Sequence, residues 1–290
     1  MPVFEPVFLL QQALNGLSFG ALLFLLASGL TLVFGLQGIV NLAHGAFYML
    51  GGYFGIIVAG LTGNLLLAAF TAMAVVAGTA FIVEVVLLRF VRGQVMPEVL
   101  LTVGVSFVIA DLCLAFFGGD PHTLPSEAAI SGALSIGGLT YPWYRLFVIA
   151  VAVGIGILLA LVQNKTRIGA VVRAGVDDRE IISAMGVNIG WVFTGMFLVG
   201  AALAALGGTI GSGVLSIRPG IHDEVLLYAL VVIIIGGLGS VAGAAVGSVL
   251  IGLIDAFAKA WIPELAYFTI FLPMALVLVL RPAGLFGRTT

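Results

Sequence analysis

The sequence predicts an all-α, polytopic integral membrane protein with about eight transmembrane segments, inverted repeats and glycine-broken segments. Of the 290 residues, 62% are hydrophobic and 8% are charged, against about 25% charged residues in an average globular chain. Several apolar stretches exceed the length that a helix needs to cross a bilayer. Glycine occurs 40 times, and small residues let membrane helices approach closely. We therefore treat residues 1–290 as a single transmembrane domain.

The composition also excludes several classes of protein. The net charge of −2 gives no sign of a nucleic-acid partner. Cys113 is the only cysteine in the sequence, so no disulfide framework exists, and we interpret it as a small buried apolar residue. Residues 1–6 contain no Lys or Arg, whereas a cleaved signal peptide begins with a positive region. We therefore expect the first apolar segment to be retained as a span.

The apolar stretches predict the order of the spans. We expect them at about residues 14–36, 65–88, 99–117, 146–162, 191–212 and 267–280, with glycine-interrupted pieces at 38–60 and 223–257. The long polar connection before Trp143 is expected to form a surface hairpin over Ser131–Tyr141, with two glycines at its turn. Asp223 is a candidate N-cap for the helix that ends near Ile235.

Basic residues predict the orientation in the membrane. Four Lys and Arg residues cluster in the loop at 164–188, so the positive-inside rule places this loop in the cytoplasm. Arg89 and Arg92 lie two spans earlier, on the same side, which places the N-terminus outside. Arg281 favours a cytoplasmic C-terminus, but only if the two apolar pieces around Gly236–Ser240 cross separately. If they form one crossing, the C-terminus lies outside.

The interrupted segment Gly38–Gly52 is the strongest functional signal from residue types. Asn41 and His44 are polar and lie where a lipid-facing helix would carry apolar side chains. Polar groups and non-helical backbone survive at membrane depth only where protein or a water-filled cavity covers them. We expect this broken or re-entrant segment to line a transport path, with Asn41 and His44 holding the backbone. The alternative for His44 is a purely structural bond to a backbone carbonyl.

A second glycine-broken segment, Gly236–Gly247, is the expected counterpart of the first. Gly45 and Ala46 align with Gly243 and Ala244 at a constant offset. Inverted repeats with interrupted segments in corresponding places indicate a substrate path. We predict that six residues from the two breaks line this path: Asn41, His44, Gly45, Gly237, Gly239 and Ser240.

The loop at 164–188 contains the pattern of a short helix. Asp177 and Glu180 have the spacing of a capping box, and Gly186 is suited to end the helix in the left-handed conformation. Apolar residues between them would form one stripe, which predicts either a docking helix for a partner or a helix on lipid headgroups. The predicted docking residues are Asp177, Asp178, Arg179, Glu180, Ile181, Ile182, Met185 and Gly186.

Three acidic residues, Glu84, Asp111 and Asp255, fall within apolar segments. An ion-coupled secondary carrier would need such residues at its coupling site. Hydrogen-bonded packing between helices is the simpler interpretation for each of them. A membrane-embedded enzyme is disfavoured because His44 has no metal-ligand partner nearby in the sequence. We therefore predict no catalytic residue, metal or cofactor.

Two sets of motifs resemble a known family. Glu180–Gly186 is similar to the EAA loop of bacterial ABC importer permeases, which docks into a cleft of the ATPase subunit. Gly29–Gly35, followed by Asn41–Gly45 and Met49–Gly51, resembles the signature of branched-chain amino-acid ABC transporter permeases of the LivH type, in the hydrophobic amino acid uptake permease family. Further similar pieces follow in the expected order: Thr166–Gly169, Met185–Asn188 and Gly236–Ser240.

This resemblance implies the permease subunit of an ABC importer for branched-chain amino acids in the bacterial inner membrane. The implied partners are a second homologous permease, two ATP-binding subunits and a periplasmic substrate-binding protein. No Walker A pattern occurs in the sequence, so ATP would be bound by the partners and the chain is not an enzyme. Urea and short-amide permeases share these motifs, which keeps that substrate class as an alternative.

Overall fold

A computed structural model describes residues 5–38, 40–126, 128, 130–177, 182, 185–265 and 268–287. These residues form ten α-helices and a two-stranded sheet. Seven of the helices are long and apolar enough to cross a membrane, which confirms the all-α membrane class. The elements are α1 Pro6–Gln37, α2 His44–Thr62, α3 Leu65–Val83, α4 Val95–Phe117, β1 Ala133–Ile136, β2 Leu139–Pro142, α5 Trp143–Lys165, α6 Arg167–Asp177, α7 Ile189–Gly211, α8 Ile221–Gly236, α9 Val241–Trp261 and α10 Phe268–Leu280.

Helix α1 lies at the centre of the fold. Helix α9 packs along its first half at two glycines, where a side chain would not fit. A Cβ atom on Gly16 would lie 2.8 Å from the Cα of Leu253, and one on Gly20 would lie 2.7 Å from the carbonyl oxygen of Ser248. Glycines at four-residue spacing allow the backbones of two membrane helices to approach this closely. Because Gly20 follows Gly16 whereas Ser248 precedes Leu253, the two helices run antiparallel.

Helix α7 packs against the second half of α1, also antiparallel. A Cβ atom on Gly29 would lie 2.5 Å from the carbonyl oxygen of Gly200, and Leu25 lies opposite Gly207. Helices α3, α4 and α5 lie on the periphery of the helix bundle. They carry large apolar side chains that the described residues leave exposed, and we assign this surface to lipid: Phe70, Ile82, Phe107, Phe116, Val153 and Ile157.

The cytoplasmic end of the fold collects the basic connections. Arg92, after α3, donates a hydrogen bond of 3.5 Å to the carbonyl oxygen of Gly190 at the start of α7. At the same end, the turn between α8 and α9 approaches the end of α1, with 3.0 Å between a Cβ atom on Gly239 and the Cα of Gly35. The end of α1 and the start of α7 share this side because the two helices are antiparallel.

The structure decides between the two predicted topologies. Helices α8 and α9 are separate and antiparallel, with a Cβ atom on Gly247 2.8 Å from the carbonyl oxygen of Val232. After α10, the amides of Leu285 and Phe286 donate to the carbonyl oxygens of Ile235 and Gly236 at the end of α8. The two pieces are therefore separate helices that run in opposite directions, and the C-terminal segment lies at the same end as the turn between them.

Several local expectations can be compared with the structure. The hairpin is confirmed: β1 pairs with β2 in antiparallel register from Ala133↔Pro142 to Ile136↔Leu139. The capping role of Asp223 is wrong, because Gly220 precedes the helix and Asp223 lies in its first turn. There its carboxylate still faces the positive end of the helix dipole. Helix α6 was not predicted, since its basic residues resemble those of an exposed loop.

Glu84 is the buried acid that ties α3 to α7. It lies in a π-helical turn, Glu84–Leu88, that extends α3 towards Val91. Its side chain is 1% exposed and forms an ion pair with Arg92. The hydroxyl of Thr194 on α7 donates to Glu84 at 3.3 Å. The simpler of the two interpretations, hydrogen-bonded packing, describes this acid.

We predict that Glu84→Ala lowers the stability of the detergent-solubilised protein. Removing one partner of a buried ion pair leaves the other uncompensated, which costs roughly 3 kcal/mol. Thermal unfolding should therefore begin at a lower temperature. Arg89→Ala is the matched control, because Arg89 is exposed and its removal should leave the unfolding temperature unchanged. Equal unfolding temperatures for both variants would contradict the role of the Glu84–Arg92 pair.

Candidate functional site

Helix α2 begins half-way across the membrane. The ring nitrogen Nε2 of His44, its first residue, lies 2.9 Å from the carbonyl oxygen of Leu26. Between Asn15 and Gln37, helix α1 rises about 33 Å, and Leu26 is at the midpoint. Asn15 marks the outer end, where its side-chain oxygen accepts a hydrogen bond from Arg145. Between Gly38 at the end of α1 and His44, the described residues 40–43 lie outside any helix, and the chain returns to mid-depth there.

From mid-depth, α2 continues to the outer end. Gly51 packs on Ala205 and Gly55 packs on Thr209 of α7, so α2 and α7 run in the same direction. The hydroxyl of Thr209 donates a 3.0 Å hydrogen bond to the carbonyl oxygen of Gly51. Since α7 is antiparallel to α1, α2 is as well. The second apolar stretch of the chain thus starts with non-helical residues 40–43 and continues as α2, as the interrupted segment predicts.

Helix α8 is a second half-helix, and it begins beside the first. A Cβ atom on Gly45 would collide with the carbonyl oxygen of His222 in the first turn of α8. The start of α8 is therefore at the same depth as the start of α2. Helix α8 then runs antiparallel to α9, towards the cytoplasmic end. The two half-helices begin at one point in the middle of the membrane and run in opposite directions.

Hydrogen bonds hold parts of both non-helical segments. In residues 40–43, the side-chain oxygen of Asn41 accepts from the amide of Ala43 at 3.0 Å, and the amide of Leu42 donates to the hydroxyl of Thr102 at 3.3 Å. In residues 212–220, the amide and carbonyl of Ile217 pair with those of His122, each at 2.8 Å. Such pairing is what allows non-helical backbone to exist at membrane depth.

Two histidines lie at the meeting point. His44 is completely buried and His222 is 6% exposed. The ring nitrogen Nδ1 of each lacks a hydrogen-bond partner among the described residues. The contact between His44 and Leu26 matches the structural alternative for this residue, a bond to a backbone carbonyl. Two helix N-termini at one place also concentrate partial positive charge, which suits the carboxylate of a substrate.

The structure divides the six predicted path residues into two groups. Asn41, His44 and Gly45 lie at the meeting point. The other three, Gly237, Gly239 and Ser240, lie in the turn after α8, about 22 Å away along that helix. In this turn the hydroxyl of Ser240 accepts from the amide of Gly243 at 3.0 Å and caps α9. Whether either group lines a path stays a prediction.

The counterpart of the first break is therefore residues 212–220, and the predicted pairing with Gly236–Gly247 is wrong. The glycines in the second region serve a tight helix–helix turn, since a Cβ atom on Gly236 would collide with Gly243. The sequence carried a better signal: the interval from Gly29 to Gly207 equals that from His44 to His222. Residues 212–220 lead from α7 to α8, and the pairing of Ile217 with His122 holds them against the connection after α4.

The predicted docking helix falls largely outside the described residues, namely at Asp178, Arg179, Glu180 and Ile181. Of the remaining positions, Asp177 is the last residue of α6. The side chain of Ile182 is buried and that of Met185 is exposed. Gly186 has a φ of +84°, in the left-handed region expected for a helix-ending glycine.

The remaining intramembrane acids differ from each other. Asp255 is buried and accepts from Lys259 at 2.6 Å, and the hydroxyl of Thr269 lies 3.3 Å from its other oxygen. This arrangement is packing between α9 and α10. Asp111 is exposed near the outer end of α4. Within the described ranges, no group of three His, Cys, Asp or Glu residues is placed to hold a metal ion.

Comparison with known proteins identifies the family. Residues 12–280 match the family described as branched-chain amino acid transport system / permease component. The chain belongs to this family. The permease is 29% identical to the high-affinity branched-chain amino acid transport system permease protein BraD of Pseudomonas aeruginosa, over 96% of each chain. It is 30% identical to the corresponding protein LivH of Escherichia coli K12, over 97% of this chain and 96% of LivH.

Similarity also extends to more distant proteins. The xylose/arabinose import permease protein XylH of Sulfolobus acidocaldarius is 30% identical, over 52% of this permease and 42% of XylH. The solved structure of PsaBC from Streptococcus pneumoniae in complex with Fab superposes with a TM-score of 0.50 at 12% identity, covering 94% of this permease and 90% of that chain. At this identity the likeness concerns the fold alone.

We predict that Gly45→Ala separates the two half-helices. The added methyl would meet the carbonyl oxygen of His222, which is backbone and cannot rotate away. The variant should unfold at a lower temperature and lose most of its transport. Gly104→Ala, in open space within α4, is the control and should be neutral or stabilised by roughly 0.5–1 kcal/mol. Wild-type stability and transport in Gly45→Ala would refute the close approach.

Proposed function

We propose that this permease is the transmembrane subunit of an ABC importer that moves branched-chain amino acids across the inner membrane. The observation that carries the proposal is the near-complete coverage of the chain by the family, residues 12–280, together with BraD and LivH as full-length relatives. Energy would come from ATP bound by two separate subunits. A second homologous permease and a periplasmic binding protein would complete the importer.

The geometry supports transport by small movements around mid-depth. Half-helices that begin in the middle of the membrane give a chain two rigid pieces on either side of a substrate. The meeting point of α2 and α8 joins the positive ends of two helix dipoles, which favour a carboxylate nearby, and the apolar helices around it tolerate a branched aliphatic side chain. A substrate with one anionic end and an apolar side chain fits this description better than urea, which has neither.

The coupling to ATP hydrolysis is assigned to the loop after α6. We propose that Asp177–Gly186 contacts the ATPase through the exposed side chain of Met185, with Glu180 and Gly186 at the positions typical of such loops, whereas the buried side chain of Ile182 anchors the loop on the permease. The exposed side chain of Met185 and the left-handed Gly186 agree with this role. Movement of the ATPases would then reach the membrane helices through α6 and α7.

A secondary carrier, driven by an ion gradient and not by ATP, is the alternative from a different class of transporter. The ion pair of Asp255 argues against it. A coupling acid must bind and release a proton or sodium ion, whereas Asp255 is already paired with Lys259 at 2.6 Å. Urea and short amides remain the alternative substrates within the ABC class. Both alternatives make predictions that differ from those of the proposed importer.

We expect the purified complex, reconstituted with its ATPase subunits and binding protein, to accumulate leucine only when ATP is present. Leucine should stimulate ATP hydrolysis, because the liganded binding protein engages the permease, whereas urea should not. Uptake would be measured with radiolabelled substrate in proteoliposomes. Accumulation of leucine by the permease alone on an imposed proton gradient would refute the importer, and stimulation by urea would change the substrate.

Glu180→Ala and Gly186→Val should leave the permease inserted but uncouple it from the ATPases. Loss of the docking contact should lower co-purification of the ATPases and transport by at least about tenfold, the loss of about 1.4 kcal/mol or more. Arg173→Ala, on the exposed surface of α6, is the control. Normal pull-down and transport by both docking variants would exclude this loop as the contact.

A further inference from the structure

Three charged side chains surround the start of α8. Asp223 and Glu224 follow His222, which is at mid-depth, in the first turn of α8, and the guanidinium of Arg218 reaches Glu224 from the non-helical segment before the helix. Their side chains are 39%, 68% and 46% exposed, respectively. These are large exposed fractions for ionisable groups in the middle of a membrane, and the family description assigns them no role.

The bilayer cannot be the medium that these side chains face. A charged residue at the centre of a membrane helix costs about 2.5–3.5 kcal/mol on insertion scales and more in other estimates. Charged groups at this depth therefore face protein or water. By contrast, the surface of α3, α4 and α5 carries exposed phenylalanine, leucine and isoleucine side chains. The charged face of α8 and this apolar surface must have different surroundings.

The charges are arranged as one pair and one carboxylate without a strong partner. The guanidinium of Arg218 donates to both carboxylate oxygens of Glu224, at 2.8 and 3.1 Å. The carboxylate of Asp223 lies 3.5 Å from Nε2 of His222. The other ring nitrogen of His222 is buried and without a partner in the described structure. The cluster thus offers both a cation and anions, which is what a zwitterion requires.

We propose that Arg218, Asp223 and Glu224 line the water-filled translocation path and bind the charged ends of the amino acid as it passes mid-depth. The guanidinium of Arg218 would turn from Glu224 to the substrate carboxylate, with which it forms the same two-pronged bond. The carboxylate of Asp223 would accept hydrogen bonds from the substrate ammonium group. The identity of the substrate rests on the proposed function, whereas the exposure of these residues to water does not.

Cysteine labelling tests whether the cluster faces water. Cys113 is buried in the described structure and is first replaced in a Cys113→Ala background. Asp223→Cys should then react with a charged, membrane-impermeant methanethiosulfonate in the reconstituted complex, with or without nucleotide. Ile157→Cys is the control at similar depth, because Ile157 is 56% exposed on α5 and adjoins Gly156, which packs on Phe24.

We expect Asp223→Cys to react at least tenfold faster than Ile157→Cys. No reaction in either nucleotide state, in a complex that still hydrolyses ATP, would overturn the inference. The contact with substrate is tested on Arg218 instead, because Asp223→Cys removes one of the proposed substrate ligands. Failure of leucine transport in the unsubstituted complex would instead refute the proposed function, because labelling depends only on access to water.

A second variant separates substrate contact from folding. Arg218→Gln should raise the KM for leucine uptake about tenfold or more, while the complex still assembles and hydrolyses ATP. Arg218→Lys keeps the charge and should recover part of the affinity, but without the two-pronged geometry. Arg173→Gln, an exposed arginine on α6, should leave KM unchanged. An unchanged KM in Arg218→Gln would overturn the role of Arg218.

Discussion

The close approach of Gly45 to the carbonyl oxygen of His222 is the contact on which the centre of this permease depends. Only a residue without a side chain permits it. The contact brings the first turns of α2 and α8 together at mid-depth, beside Leu26 of the central helix. Because the bilayer offers no water to unpaired amides, the segments that lead to this point need their own hydrogen-bond partners. Other parts of the chain supply these hydrogen-bond partners.

The two segments approach mid-depth from opposite ends and are held by different means. Residues 40–43 come from the cytoplasmic end and are held by a side chain of their own, Asn41, together with Thr102 of α4. Residues 212–220 come from the outer end and pair with the backbone of His122 in the connection after α4. Helix α4 and its following connection therefore support both halves of an inverted pair.

This arrangement separates two kinds of charged group. At the cytoplasmic end, Glu84 and Arg92 are used in packing and hold α3 to α7. Around the start of α8, the charged side chains remain exposed, although the neighbouring helices carry apolar side chains at the same depth. Burial and pairing stabilise the first group, whereas the second is stable only beside water or another polar surface. A charge at mid-depth is for this reason more informative about transport than the same charge near an end.

The sequence by itself determined the membrane class, the central break after Gly38 and the hairpin. These follow from local composition, which is sufficient because lipid imposes one length and one polarity on every crossing. Only the tertiary structure decided which segments form the inverted pair. Glycine marks helix contacts, tight turns and breaks alike, so Gly236–Gly247 looked like a counterpart to Gly38–Gly52. The sequence likewise did not predict the depth of Arg218 and Asp223 in the membrane. Their depth depends on where α8 begins, and the contact with α2 determines that position.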